Sequence, residues 1–386
     1  MTRVAVLTAS PGPYRLPFLR CLASRCDLAA IFDCRREGNR LWQMGDLGLP
    51  HRYVAGIALP YYRRRPDGVP GDRRFLQIRY GLLPRLLATR PAVVVSAEFG
   101  LRSLQAALYC RFTRTPLILW SEGTPHSEGW VGGLKGRIRR FLVSRADRFW
   151  VNGAESTELI LRYGGRKERI DAGMTGVDTR WFSEEVARCG QERDSLRTRY
   201  GLRGTCFLFV GQLVPRKGVR EFLMAVEALA RQETGFSVLF VGDGEERSFI
   251  ESWMPLHADV NVQVLGYCQQ SELPGIYAAA DVFVLPTLDD NWSLVTLEAA
   301  ASGLPLLLSR FNGSSADLMP QGAPGALFDP LNTRQFTELL AASCRNPPSR
   351  VALQVVRDLV RFYSPEAFAD RAWRSIRAAL DTRGSL

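Results

Sequence analysis

CFLFVGQLVPRKGVREFLMAVEALARQETGFSVLFVGDG, Cys206–Gly244, reads as strand, helix, strand. The flanking runs "CFLFVG" (Cys206–Gly211) and "FSVLFVGDG" (Phe236–Gly244) are short and almost wholly apolar. Such runs, bounded by glycine and separated by a helical pattern, suit parallel strands buried on both faces. Between them, Arg216 and Lys217 are expected to open a helix running through Ala230. A βαβ unit of this kind implies a doubly wound α/β sheet, whose ligands bind at the carboxyl ends of the strands.

The same alternation continues outward. Downstream lie "NVQVLG" (Asn261–Gly266), "DVFVLP" (Asp281–Pro286) and "PLLLS" (Pro305–Ser309), each followed by a helical stretch. Upstream lie "RVAVLT" (Arg3–Thr8), "LAAIF" (Leu28–Phe32), "AVVVS" (Ala92–Ser96), "PLILW" (Pro116–Trp120) and "RFWVN" (Arg148–Asn152). Helices are expected over Phe75–Ala88, Leu101–Arg111 and Gly133–Arg145. The segment "YYRRRPDGVPGDRR" (Tyr61–Arg74) reads as a basic Pro/Gly-rich loop. Little apolar content follows Phe182, so 183–204 reads as a connector carrying a polar helix. The fold expected is α/β, with two Rossmann-like doubly wound domains facing across a cleft: 1–182 and 205–363. A tail helix (364–386) carries Phe368, Ala372, Ile376 and Leu380 at i+4 steps and is expected to cross back to the first domain.

A chain of 386 residues, 46% hydrophobic and 23% charged, suits two soluble domains. No apolar run approaches the roughly 18 residues of a membrane span, and "VAVLT" reads as a first strand in place of a signal peptide, so a cytoplasmic location is expected. The eight cysteines form no C-x-x-C pair, and His51, His126 and His257 have no metal-ligand spacing. Neither a disulfide framework nor a metal site is expected. Charge is unevenly divided. Residues 1–185 carry 30 Lys and Arg against 17 Asp and Glu, while the remainder carries 20 against 22. The basic half suits an anionic partner, either nucleic acid or a membrane leaflet.

Two stretches concentrate chemistry. Arg216 and Lys217 beside a helix N-terminus combine two cations with exposed N–H groups, a combination suited to a diphosphate; two exposed cations in a solvated loop fit the same residues. In "PTLDDNWSLVTLEAAASGLPLLLS" (Pro286–Ser309), a helix from about Ser293 leaves the N–H groups of Leu294 and Val295 free. Glu298 then falls on an apolar helix and needs a partner. Vicinal ribose hydroxyls would serve, since one carboxylate accepts two hydrogen bonds; an internal ion pair for Glu298 and a capping role for Asp290 would also serve.

The order of these motifs resembles family 4 retaining glycosyltransferases of the GT-B fold. The resemblance rests on G-x-L-x-x-x-K-G at Gly211–Gly218, "VGDGEE", "LGYCQQSELPGIYAAADVFVLPT", the Asp290-x7-Glu298 pair and "AAASGLP". It spans nearly all of the second half. In the first half, "SPGPYRLPFLRCLA" and "NGAESTELILRYGGRKERI" followed by "GVDTRWF" resemble the family more weakly. The resemblance implies that Arg216 and Lys217 hold the donor diphosphate, Glu298 the ribose, and Asp290 the donor sugar hydroxyls. It assigns backbone donors to Ser293, Leu294 and Val295, close approach to the phosphates to Gly12, and the nucleobase border to Tyr267 and Cys268. Gly211 ends the strand before the diphosphate loop. Two positions depart from the family. Asp290 stands where Glu is usual, and Glu122 stands where a histidine often follows "PLILW", with His126 four residues later.

The implied activity is retaining transfer of a sugar from a nucleotide-diphosphate sugar, UDP-sugar by preference, with no metal and no further cofactor. The acceptor would be a glycan or a lipid-linked sugar in cell-surface glycan, polysaccharide or glycolipid synthesis, with the N-terminal domain on the acceptor side. The amphipathic basic helix "LKGRIRRFLVSR" (Leu134–Arg145) could place the enzyme peripherally on an anionic membrane; packing on its own sheet would explain the same pattern. An inactive nucleotide-sugar-binding partner subunit is the alternative that Asp290 and Glu122 leave open. A nucleic-acid-binding protein lacks any recognition motif, and an NAD-linked oxidoreductase lacks G-x-G-x-x-G after the first strand.

Overall fold

The computed structural model describes all residues except 36–44, 64–67, 69–71, 320–324, 348, 352, 385 and 386. The chain forms two compact units. The first is built from Met1–Asp67, Asp72–Asp178 and Phe362–Leu386, the second chiefly from Thr179–Arg361. In chain order the first contains β1 (Arg3–Thr8), α1 (Leu16–Ala23), β2 (Asp27–Phe32), β3 (His51–Tyr53), β4 (Ile57–Arg63), β5 (Asp72–Ile78), α2 (Leu82–Thr89) and β6 (Val93–Ala97). It continues with α3 (Leu101–Thr113), β7 (Leu117–Ser121), α4 (Pro125–Glu128), α5 (Gly133–Arg145), β8 (Arg148–Val151), α6 (Ala154–Arg162) and β9 (Ile170–Asp171).

The second unit opens with α7 (Thr179–Cys189) and α8 (Arg193–Arg199), then β10 (Cys206–Val210), α9 (Val219–Ala230), β11 (Ser237–Val241), α10 (Arg247–Trp253) and β12 (Asn261–Val264). There follow α11 (Leu273–Ala279), β13 (Val282–Leu285), α12 (Leu294–Ala301), β14 (Leu306–Ser309), α13 (Ser315–Leu318), β15 (Gly325–Phe328), α14 (Thr333–Arg345) and α15 (Leu353–Phe362). The last helix, α16 (Pro365–Gly384), belongs to the first unit.

Each unit holds one parallel sheet. The orders are β3-β2-β1-β6-β7-β8-β9 and β12-β11-β10-β13-β14-β15. In both, the winding direction reverses beside the first strand, between β1 and β6 and between β10 and β13. These reversals are the topological switch points at which doubly wound sheets bind ligands.

Alternation along β1 shows how the first core is built. Val4 and Val6 face one layer with Phe18, Trp120, Trp150, Phe368, Ala372 and Ile376. Ala5 and Leu7 face the other, with Leu86, Ala106, Leu142 and Ile160. The tail helix is therefore a layer of the first sheet: the Phe368 ring stacks on Phe18 at 3.6 Å between centroids, and Trp150 Nε1 donates to Ser375 Oγ at 2.9 Å. In the second unit, α9 and α14 cover one face through stacked Phe222 and Phe336. On α11, three arginines meet the terminal carbonyls. Arg193 donates to Ala278 O at 3.1 Å, Arg197 to Ala279 O at 2.9 Å, and Arg350 to Tyr277 O at 3.0 Å and to Ala278 O at 2.9 Å. Cations at a helix C-terminus satisfy carbonyls that have no partner within the helix and oppose the negative end of its dipole.

Several expectations are corrected. Residues expected to begin a helix at Phe75 continue β5 to Ile78, and the helix starts at Leu82. The apolar residues there alternate against β4, with Leu59 opposite Leu76, so cross-strand pairing overrides the helical spacing. The supposed loop 61–74 is thus flanked by an antiparallel hairpin; the arginine clusters at 63–65 and 73–74 lie outside the residues whose side chains are described. The connector 183–204 is mostly helical, and α7 and α8 pack on α11. The edge strands β3, β9 and β15 were too short to show a pattern.

Truncating Phe368 to Ala should cost about 3–5 kcal/mol, because the buried ring leaves a cavity among aromatic neighbours. Urea unfolding followed by tryptophan fluorescence checks this; a loss below about 1 kcal/mol would show that α16 is dispensable to the first unit.

Candidate active site

In the second unit, the loops after β10 and β13 flank the switch point and are tied together through backbone groups. The carbonyl of Arg216 accepts from Leu288 N at 2.8 Å and Asp289 N at 3.3 Å, and from Thr287 Oγ1 at 3.0 Å. Gly218 makes this approach possible. Its φ is +72°, and a Cβ there would stand 1.9 Å from the Pro286 carbonyl oxygen. The expected helix start is corrected by the same residue. Pro215–Lys217 form a separate 3-10 turn, and α9 begins only at Val219, after Gly218 has turned the chain through the left-handed region. The two cations are thus held in a tight turn adjoining the helix.

Lys217 is buried and its Nζ pairs with Asp290 Oδ2. Arg216 Nη1 donates to Asp289 O at 3.2 Å and Nη2 to Gln212 Oε1 at 3.4 Å. Burial alone would raise the Asp290 carboxyl; the Lys217 ammonium and Arg216 guanidinium, with hydrogen bonds from Lys217 and Ser293, bring it below the usual carboxylate value. Its backbone is fixed as well, since Asp290 O accepts from Gly313 N at 2.9 Å and Asp290 N donates to Phe311 O at 3.3 Å. The site therefore offers an ionised acceptor, a guanidinium and an ammonium within one interlocked pair of loops.

Ser293 caps α12 in extended conformation, leaving Leu294 and Val295 as the first N–H donors of the helix, which have no partner within it. Glu298 lies one turn further on and is 8% exposed. The partner its burial demands is Tyr277 of α11, whose hydroxyl donates to Glu298 Oε2 at 3.0 Å. Burial pushes the Glu298 carboxyl up to about 7, against which the Tyr277 hydrogen bond works only in part. Tyr277 was missed in the sequence, where it reads as one more apolar position of "GIYAAADVF". Its ring meets Phe182 of α7 edge-on at 6.1 Å.

Gly211, Tyr267 and Cys268 lie in neighbouring loops of the same unit. Gly211 N donates to Val241 O at 2.9 Å, and its carbonyl lies against Gly242, where a Cβ would stand only 1.8 Å away. The first glycine of "VGDG" thus lets the end of β11 pass the loop after β10 closely. Tyr267 is 40% exposed after β12, and Cys268 beside it is partly buried. Gly12 and Glu122 belong to the first unit. The space at Gly12 is filled by the Tyr14 ring, 2.7 Å from where a Cβ would be. Glu122 Oε1 pairs with Arg15 Nη2 at 3.0 Å, and that guanidinium lies over the Trp120 ring at 5.1 Å. Arg15 had not been singled out, although it stands within the motif after β1.

Comparison with known proteins defines the class. The description "Glycosyl transferase 4-like domain" matches residues 10–172, and "Glycosyl transferases group 1" matches residues 194–354. The crystal structure of Anabaena HepE in complex with UDP has the same fold, with a TM-score of 0.72 and 16% identity over 100% of both chains. These make the molecule a GT-B glycosyltransferase by fold. The chain belongs to the family 4 glycosyltransferases. It is 28% identical over 322 residues to D-inositol 3-phosphate glycosyltransferase 1 of Catenulispora acidiphila, covering 76% of this chain and 74% of that one. It is also 28% identical over 221 residues to the D-inositol 3-phosphate glycosyltransferase of Corynebacterium kroppenstedtii, covering 55% of this chain and only about half (49%) of the relative.

The raised Glu298 carboxyl has a consequence for stability. The folded protein holds this proton up to about pH 7, whereas an ordinary glutamate at 4.5 releases it earlier. Between those values the native state binds more protons than the unfolded chain, so this group's contribution is present below pH 4.5 and lost as pH rises through 7. Glu298→Gln should abolish that loss and gain about 3 kcal/mol on the wild type between pH 4 and pH 8. Urea unfolding at both pH values measures it; a difference between variant and wild type that does not change with pH would mean Glu298 is not held protonated.

Proposed function

We propose that the protein transfers a sugar, with retention at the anomeric carbon, from a nucleotide-diphosphate sugar. The observation carrying this reading is the convergence of Arg216, Lys217, Asp290 and the α12 N-terminus on one switch point. Departure of a nucleoside diphosphate builds negative charge on the leaving oxygens. The Arg216 guanidinium, the Lys217 ammonium and the N–H groups of Leu294 and Val295 would neutralise it without a metal ion. Asp290, kept ionised by Lys217 and Arg216, would accept from the hydroxyls of the transferred sugar. Glu298 would take the ribose hydroxyls, with Ser293 contributing a backbone donor to the sugar. UDP is the preferred base-bearing half, supported by likeness to a protein crystallised with UDP.

A screen of UDP-, GDP- and ADP-sugars for hydrolysis by the purified protein identifies the donor. With the best donor at saturation, Lys217→Ala should lower turnover roughly a hundredfold, about 3 kcal/mol of transition-state stabilisation. Near-normal turnover would remove Lys217 from the diphosphate role.

For the acceptor we propose a membrane-borne, lipid-linked molecule, with the first unit held at an anionic leaflet. The support is α5. Leu134 is 72% and Phe141 47% exposed, and Lys135, Arg137, Arg140 and Arg145 are exposed around them. Arg139 is excluded from that surface because it pairs with Glu128. Among the described residues no helix is long and apolar enough to cross a membrane, so attachment here would be peripheral. Each exposed cation near such a surface contributes about 1 kcal/mol. Co-sedimentation with vesicles should rise with anionic lipid, fall at high salt, and drop when Lys135, Arg137 and Arg140 are changed to Ser. Equal sedimentation with neutral and anionic vesicles would favour a soluble acceptor.

A further inference from the structure

The first unit contains a second concentration of charge that the donor chemistry does not use. Asp33 directly follows β2, Arg79 directly follows β5, and Arg102 lies in the first turn of α3, whose N-terminus adjoins the carboxyl end of β6. All three are more than nine-tenths buried. Arg102 Nη1 pairs with Asp33 Oδ2, and its Nη2 donates to Ala97 O at 2.8 Å. Arg79 donates to Gln77 Oε1, and its Nε stands 4.0 Å from Asp33 Oδ1. The Nε atoms of both arginines are buried without a hydrogen-bond partner. Two guanidiniums thus share one buried carboxylate, an arrangement with surplus positive charge and unused donors that costs stability unless a further anion completes it.

Glu98 marks the side from which such an anion can arrive. It follows β6 directly, its side chain is 59% exposed, and its carboxylate reaches to 3.9 Å from Arg102 Nη2. Its φ is +67°, a left-handed conformation that residues other than glycine rarely adopt. Strain of this kind collects at ligand sites. The position beside β6 is also the β1–β6 switch point, where the first sheet binds ligands.

We propose that Arg79 and Arg102 form an anion subsite that takes the phosphate or carboxylate group of the acceptor, with Glu98 occupying its solvent edge until the acceptor anion replaces it. The inference rests on the sugar-transfer reading only for the identity of the molecule that carries the anion. Planar guanidinium donors suit both groups, because each offers two oxygens in one plane.

Calorimetric titration with inorganic phosphate and with malonate tests this, in a Lys217→Ala background that weakens the donor site's own hold on anions, with the Arg79 variant separating the two sites. At least one anion should bind. Glu98→Gln should tighten binding roughly two- to fivefold by removing a competing carboxylate. Arg79→Gln, which leaves the Asp33–Arg102 pair intact, should weaken it about tenfold or more. Binding of phosphate alone assigns a phosphorylated acceptor, and binding of malonate alone an acidic sugar or other carboxylate. No binding by either Glu98 form, or equal affinity in Arg79→Gln, overturns the subsite. Anion binding together with no turnover of any nucleotide sugar by the wild-type protein would leave the subsite and remove the transferase reading; wild-type turnover onto neutral acceptors without anion binding would do the reverse.

Discussion

The geometry of the candidate site in the second unit depends on one close approach, that of the Gly218 backbone to the Pro286 carbonyl. Any side chain at position 218 would have to occupy space already taken by that oxygen. With the gap closed, the Arg216 carbonyl can receive three hydrogen bonds from the segment after β13. Two loops about seventy residues apart in sequence then behave as one rigid element. The Lys217–Asp290 pair spans that element, so its charges are placed by backbone packing and not by the preferences of two long side chains. Burying such a pair is costly, and its energy is recovered only where both partners stay fixed.

How legible this was in the sequence depended on the length scale of each signal. Most of the ten parallel strands read from the sequence are continuous apolar runs, legible because both faces of a covered sheet demand the same chemistry. The β4–β5 hairpin was not. Its residues alternate with bulky groups that suit either period, and only the pairing of Leu59 with Leu76 decides between them. The cations and acids of the site were visible as residue types, but the interruption between Lys217 and α9 was not, because a glycine after Arg-Lys reads equally as a loop or a helix start. Tyr277 was hidden for a different reason. A phenol serving as donor to a buried carboxylate cannot be told from a core aromatic until the facing helix is in place.

The basic character of the chain also changes meaning once the arginines are located. Many already have partners within the fold. Arg193, Arg197 and Arg350 are committed to carbonyls at the end of α11, Arg371 to the carbonyl of Gly173, and Arg148 to Asp171. Partial desolvation pulls the guanidiniums of Arg350 and Arg371 below the usual range. Net charge therefore overstates what the molecule presents to an anionic surface, and individual helices such as α5 are the better measure.

Because the chain leaves the first unit after Asp178 and returns at Phe362, that unit is discontinuous while the second is chiefly one long insertion, Thr179–Arg361, within it. On the ribosome, the seven-stranded sheet emerges first but lacks α16, the layer that covers Phe18, Trp120 and Trp150, until the last residues are made. The inserted unit can complete its core earlier, although it is synthesised later. The first-made half of the protein is thus the last to be finished, and a chain stopped short of Phe362 would carry an open aromatic face.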